Sequence, residues 1–124
     1  MRASDVQSPD PQQFIPLSPG DFQLLLALSQ GPLHGYGIMK AVDETSRSRV
    51  SIEIGSIYRI VARLVTAGLI AEDQAAGDVV HAGKARRTYR LTGLGLAVLR
   101  AEAQRLRDAV SLAGPLLEGP GEQG

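Results

Sequence analysis

The sequence predicts a mostly α-helical fold with a small β-hairpin, laid out as a winged helix-turn-helix followed by a long C-terminal helix. Three observations carry this reading. Three short helical segments are each bounded by capping or breaking residues, two strand-like segments flank a basic loop, and a closing segment repeats leucine and alanine every three and four residues. A chain of 124 residues with 44 % apolar content has room for one domain with a modest core.

Residues 1–17 hold three prolines and few apolar side chains, and read as a flexible N-terminal arm. The winged helix-turn-helix is expected over 18–92. Its first helix starts at Ser18, a capping residue, with Pro19 at the first helical position and Asp21 three residues after the cap. Phe22, Leu25, Leu26 and Ser29 follow at helical spacing until Gly31-Pro32. The second helix covers Tyr36 to Thr45, with Tyr36, Ile38, Met39 and Val42 available for burial. Arg47 to Ile52 is a connector with room for short extended structure. The third helix runs from about Ile54 to Ala67 and stops at Gly68, a left-handed cap. Ile57, Val61 and Leu64 form its buried stripe, broadened by Ile54, Ile60 and Val65. Leu69 to Asp73 and Thr88 to Leu91 then pair as strands around a long basic hairpin.

The closing helix is expected over 93–117, ahead of a polar tail at 118–124. Leu96, Leu99, Ala103, Leu106, Val110, Ala113 and Leu117 make an a/d seam of about three heptads, while Leu94 and Val98 point back to the domain. Pro115 is expected to kink or end the helix. A domain this small has little left to cover such a seam, whereas a two-fold partner covers it naturally. The seam therefore predicts a homodimer through the C-terminal helix.

Several function classes are excluded. With no cysteine there is no disulfide framework or thiolate metal site. His34 and His81 are the only histidines, and no carboxylates converge on either; neither a metal site nor Ser/His/Asp catalysis has a motif behind it. His34 reads as a helix-start or packing residue. No phosphate-cradling loop is present, so neither an enzyme nor a cofactor is expected. No signal pattern or membrane-length apolar run is found, which predicts a cytoplasmic protein that does not enter membranes.

What remains is recognition. Net charge is zero, with 13 basic and 13 acidic residues, but a nucleic-acid footprint needs only a local patch. Between Lys40 and Arg90, nine basic residues face six acidic ones. A helix whose outer side is polar and sterically light can enter the major groove, and a basic hairpin can reach the neighbouring backbone or minor groove. Ser56, Arg59 and Arg63 lie on that outer side of the third helix, the two arginines one turn apart. Ser56 either donates to a phosphate or helps cap the helix. Tyr58 either reaches a phosphate with its hydroxyl or is a core tyrosine. Lys84, Arg86 and Arg87 mark the hairpin as a DNA-facing wing. Lys40 and Arg49 are weaker phosphate candidates.

The residues at this point resemble a known family. Gly31-Pro32-Leu33-His34-Gly35-Tyr36-Gly37-Ile38 looks like the opening of the second helix in the PadR family of transcriptional regulators. The run Gly55 to Leu64, then Ala67-Gly68-Leu69-Ile70, resembles its recognition helix and the turn into the wing. Arg86-Arg87-Thr88-Tyr89-Arg90-Leu91-Thr92, with Gly95 after it, resembles the second wing strand and the start of the dimerisation helix. The resemblance spans about Ser18 to Val110. It implies a homodimer that binds double-stranded DNA at a pseudo-palindromic operator as a repressor, with Tyr58 and Arg59 at the strongest positions of the recognition helix. Two departures stand out. Glu53-Ile54 replaces the Ser-Pro usual before the recognition-helix glycine, and no tryptophan is present to stack on a flat ligand.

Two further readings coexist with this one. Zero net charge and Glu53 at the recognition-helix start are compatible with a winged-helix protein–protein adaptor without DNA binding. A hydrophobic cavity between paired last helices would take an apolar or aromatic small-molecule effector.

Overall fold

The computed structural model describes residues 9–73, 80–81, 84–85 and 87–118. The Asp21 amide donates to Ser18 Oγ at 3.1 Å and Pro19 stands at the first helical position, which starts α1 (Pro19–Leu28) as the sequence predicts. Its buried side chains include Leu24, Leu25, Ala27 and Leu28, whereas Phe22 and Leu26 are half-buried and Ser29 is exposed. The expected stripe is thus rotated. The helix is apolar nearly all round from Phe22 to Leu28, and it packs on α2, β5 and α4 together, so periodicity marks no single face.

After α1 the chain makes a two-residue strand, β1 (Leu33–His34), and enters α2 (Gly35–Thr45). His34 caps that helix, its Nδ1 accepting from the Gly37 amide at 3.3 Å. Gly35, Ile38 and Val42 are buried. Tyr36, expected inside, is 54 % exposed because it stands on the opposite side of the helix from Ile38 and Val42. The connector to α3 is a set of turns without extended pairing. Ser46 Oγ both accepts from the Val50 amide and lies 3.0 Å from the Val50 carbonyl, and the Ser48 amide donates to Asp43 O at 2.7 Å. These bonds hold Arg47 and Ser48 at φ 56° and 63°, a left-handed conformation that costs roughly 1–2 kcal/mol per non-glycine residue.

Helix α3 (Ile54–Thr66) buries Ile57, Val61 and Leu64, the stripe its spacing predicts; Ile54 and Val65 stay exposed. Gly68 follows at φ +84°, and the chain turns into β2 (Ile70–Glu72). The short strands β3 (Val80–His81) and β4 (Lys84–Ala85) pair with each other, and β5 (Thr88–Leu91) returns. β5 lies in the middle of an antiparallel sheet ordered β1-β5-β2, with Leu33 opposite Tyr89 and Ile70 opposite Leu91. The predicted strand pair is thus β2 and β5, joined on its far side by β1.

Helix α4 (Gly93–Glu118) begins on a cap from Thr92, whose Oγ1 accepts from the Gly95 amide at 3.0 Å and lies 2.7 Å from the Gly68 carbonyl. At Gly95 the helix crosses the start of β2 so closely that any side chain would collide with the Leu69 carbonyl oxygen. Pro115 lies inside α4 rather than at its end, and the helix continues to Glu118. Among the described residues no helix is long and apolar enough to cross a membrane.

Residues 10–17, expected to belong to a flexible arm, are docked on the domain. Asp10 caps a 3-10 turn over Pro11–Phe14, accepting from the Gln12 amide at 2.9 Å, and this turn packs against α4. Phe14, Ile15 and Leu17 lie on the core. The Leu17 amide donates to Glu102 Oε2 at 3.1 Å, and Arg105 grips the same carboxylate at 2.7 and 2.8 Å. Glu102 is 1 % exposed, and both its oxygens are bonded in this contact.

The crossing at Gly95 gives a direct test. Gly95→Ala is expected to cost about 1–3 kcal/mol or more in urea denaturation, the usual range for overpacking against an unyielding backbone. Gly93→Ala, with nothing within 4 Å of its added methyl, is expected to leave the midpoint nearly unchanged. The Glu102 carboxyl is held below the usual carboxylate range, first by Arg105 and then by the Leu17 amide, with burial opposing. Its folded value is depressed, so its contribution to docking residues 10–17 is full above about pH 4.3, the ordinary value for Glu. That contribution is lost as pH falls through the folded value. The protection of the Leu17 amide against hydrogen exchange, corrected for the intrinsic pH dependence of exchange, is expected to fall as pH drops through that depressed folded value, and Glu102→Gln is expected to remove this pH dependence.

Candidate nucleic-acid interface

Helices α2 and α3 pack on each other across the turns at 46–53, which leaves one long side of α3 facing outward. Tyr58, Arg59, Ala62, Arg63 and Thr66 are exposed there, and Ser56 is half-buried. The start of α3 has no side-chain cap, because Glu53 at the cap position bonds no helix amide through its carboxylate. Gly55 is exposed, and a methyl added there would meet nothing within 4 Å, so the backbone is open to close approach.

Ser56 and Arg59 form one unit: Arg59 Nη2 donates to Ser56 Oγ at 3.2 Å. Tyr58 resolves the two sequence readings differently from either alone. Its ring end packs over the first turn of α2, where a methyl on Gly35 would lie 2.7 Å from the hydroxyl, yet the residue is 52 % exposed. Glycine at 35 thus leaves the space that the end of the Tyr58 ring occupies. Tyr89 of β5 lies near enough to sense the Tyr58 hydroxyl. Burial, then the Glu72 carboxylate, pushes the Tyr89 hydroxyl above its usual range; Arg87 opposes, and Tyr58 adds a smaller upward push.

Arg63 has a different partner from the one its spacing suggests. Its Nη2 and Nη1 reach both oxygens of Asp21 on α1, at 2.8 and 3.1 Å. This two-toothed bond raises the arginine further above its usual range and occupies the guanidinium edge that a base or phosphate would need. On the wing, Arg87 Nη1 stands 3.5 Å from Glu72 Oε2 on the neighbouring strand, a surface pair worth about 0–1 kcal/mol. For Lys84 only the backbone, in β4, is described, and Arg86 lies outside the described residues, as do 74–79 and 82–83 of the same loop.

Sequence reasoning missed Tyr36. It stands exposed on α2 with Lys40 Nζ 5.9 Å from its ring centroid, within the range of a cation–π contact. The i,i+4 spacing of an aromatic and a lysine was the available signal; it was outweighed by counting Tyr36 among the apolar positions. Arg47 and Arg49 are also exposed, on the turns between α2 and α3.

The seam on α4 divides in two. Leu99, expected to face a partner, is only 6 % exposed and belongs to the chain's own core beside Val98. It lies within the part of α4 that still covers the domain. Leu96 is exposed at the rim, Ala103 and Val110 are exposed, and Leu106 and Ala113 are half-buried. Leu112 and Leu116 were not in the expected seam, yet they are among the most exposed apolar side chains, Leu112 at 85 %. They continue the line of Val98, Glu102 and Arg105, which packs on the domain nearer the start of the helix, into a region where the domain has ended. Among the described residues no cluster of His, Cys, Asp or Glu could hold a metal ion.

Comparison with known proteins agrees with this architecture. The profile of the transcriptional regulator PadR-like family matches residues 24–101. A PadR family transcriptional regulator from Eggerthella lenta is similar at 30 % identity and a TM-score of 0.61, over 82 % of this chain and 87 % of that one. PadR of Bacillus subtilis, in complex with operator DNA, shares the fold at 23 % identity and a TM-score of 0.60, over 69 % of this chain and 46 % of that one. A 37.1 kDa protein in transposon Tn4556 of Streptomyces fradiae is 34 % identical over 83 residues, and the chain spans only 21 % of its length. From the capped start of α2 through the buried stripe of α3 to the glycine under α4, this chain belongs to the PadR-like family of transcriptional regulators.

Proposed function

We propose that this chain binds a pseudo-palindromic double-stranded operator as a homodimer and represses the adjacent gene. The observation that carries the reading is the outer side of α3. Ser56, Arg59 and Ala62 present a light, polar surface beside two exposed aromatic residues, Tyr36 and Tyr58, next to a wing. A helix with such a face fits the major groove, and the uncapped amides at its start favour a phosphate. In this reading Arg59 contacts DNA with Ser56 steadying it, and the Tyr58 hydroxyl and Lys40 reach backbone phosphates. Lys84, Arg86 and Arg87 carry the wing. The similar fold of the Bacillus subtilis protein on operator DNA supports the reading.

The dimer forms through α4, with Leu96, Ala103, Leu106, Val110 and Ala113 against the partner and Leu112, Leu116 and Leu117 widening the apolar face. Leaving that face in water would expose four large side chains, Val110, Leu112, Leu116 and Leu117, each worth about 1.5–3 kcal/mol when fully buried. A cavity between the paired helices would take an apolar effector, held by aliphatic side chains because the chain has no tryptophan.

Unbiased selection of bound genomic DNA tests the function as a whole; recovery of no enriched dyad sequence at low salt would remove it. Arg59→Ala is expected to weaken operator binding by more than about tenfold and to lower the slope of log affinity against log salt by about one if the contact is to phosphate. Unchanged affinity would take Arg59 out of the interface. Val110→Glu is expected to give a folded monomer in sedimentation equilibrium, with operator affinity reduced by about a hundredfold or more as the second half-site contact is lost.

A further inference from the structure

The backbones of α3 and α4 approach each other little, whereas α4 packs on both α1 and the sheet strand β5. Yet within five residues the start of α1 is bonded to both α3 and α4. The Leu17 amide donates to Glu102 of α4 at 3.1 Å, with Arg105 fixing that carboxylate from the other side. Ser18 caps the helix through the Asp21 amide, which makes 17–21 a stiff turn. Asp21 then holds Arg63 of α3 through both its oxygens. α1 and α3 both contribute to the chain's one apolar core, Leu24 and Leu28 from the first and Ile57 and Leu64 from the second, and this long arginine adds a polar tie between the first turn of α1 and α3. Arg63 is more than half exposed, and such a pair adds little to stability. Its geometry, however, is directional: a planar fork on a planar carboxylate permits one relative orientation.

We infer that the first turn of α1 is a bracket setting the angle between the recognition helix and the dimerisation helix, so that Asp21, Arg63 and Glu102 are positioning residues that determine which half-site spacing the operator must have. The inference rests on the dimeric DNA-binding reading above. In a two-fold dimer joined through α4, the separation of the two α3 helices depends on how rigidly each is tied to α4, and half-site spacing copies that separation. Arg63 thereby acts on specificity without touching DNA.

Two measurements test it. In the first, the operator recovered by selection is rebuilt with its half-sites moved one and two base pairs closer or farther. Wild type is expected to prefer one spacing by at least about tenfold, a difference of roughly 1.4 kcal/mol. Asp21→Asn and Glu102→Gln, which keep shape and a hydrogen-bond acceptor, are expected to reduce that preference to about twofold while each isolated half-site binds as before; the reversed pair Asp21→Arg with Arg63→Asp is expected to restore it. The two single variants break the bracket at independent points, so loss of fold in one leaves the other to decide. An unchanged spacing profile in a folded variant overturns the inference. So does a drop in salt dependence for Arg63→Gln equal at every spacing, which would make Arg63 a phosphate contact. In the second, a spin label is placed on Ala62→Cys, unique because the chain has no cysteine, and the distance between the two α3 helices is measured in the free dimer. A narrow distribution in wild type that broadens in Asp21→Asn supports the bracket, and equal widths overturn it. This measurement needs no DNA, so failure of the operator reading and failure of the bracket are told apart.

Discussion

The close crossing of α4 over the start of β2 is the constraint on which the rest of the molecule depends. Gly95 brings the helix against the Leu69 carbonyl, and Thr92 ties the same corner to Gly68 and Leu69. From that corner β2 and β5 are held in register, Ile70 opposite Leu91, and the direction in which α4 leaves the domain is fixed. Val98 and Leu99 then pack into the core and Glu102 closes the contact with the N-terminal turn. Beyond Leu106 the helix has outrun the domain. Its remaining apolar side chains have no intramolecular surface to bury, and so a packing decision at one glycine leads to the exposed far end of the same helix.

The elements most legible in the sequence were those whose local signals agree with one another. In α3 a single stripe, a left-handed glycine at its end and a polar outer side all point the same way, and the helix forms as read. Ser18, His34 and Thr92 act as the caps or helix-start residues that their positions suggest. Where a helix touches several neighbours the signal fades: α1 is apolar on most sides, so its sequence is compatible with more than one buried face. β1 is two residues long and exists only because β5, far along the chain, offers it an edge. Leu99 obeys the seam's spacing and still turns into the core, because periodicity records a helix face and not which molecule covers it.

The candidate site was legible as a region more than as a set of roles. Arg59 and Arg63 are equivalent by spacing, one turn apart on the same side. Only a carboxylate forty-two residues away distinguishes them, by engaging Arg63 and leaving Arg59 to Ser56. Nothing local to α3 announces that partner. Tyr36 and Gly35 show the converse. The glycine looks like a helix-start residue, and it also leaves room for the end of the Tyr58 ring, which brings α3 against the first turn of α2.

These pairings also show where part of a balanced charge is used inside the fold. Arg63, Arg105 and Arg87 are each matched by an acid, on α1, on α4 and on the wing base. Those acids are therefore spent on internal geometry. Among the described residues, Lys40, Arg47, Arg49, Arg59, Arg90, Arg100 and Arg107 form no ion pair; the first four lie on α2, α3 and the turns between them, where Asp43, Glu44 and Glu53 are also outside any ion pair. The helix-turn-helix thus keeps four basic and three acidic groups outside ion pairs, and on α3 itself the basic one is Arg59. For a ligand as densely anionic as a nucleic-acid backbone, local potential governs encounter. In the reading proposed above, the same pairings separate two tasks on adjacent turns of α3: Arg59, bonded only to Ser56, faces the ligand, and Arg63, bonded to Asp21, holds the helix at the angle from which Arg59 can reach it.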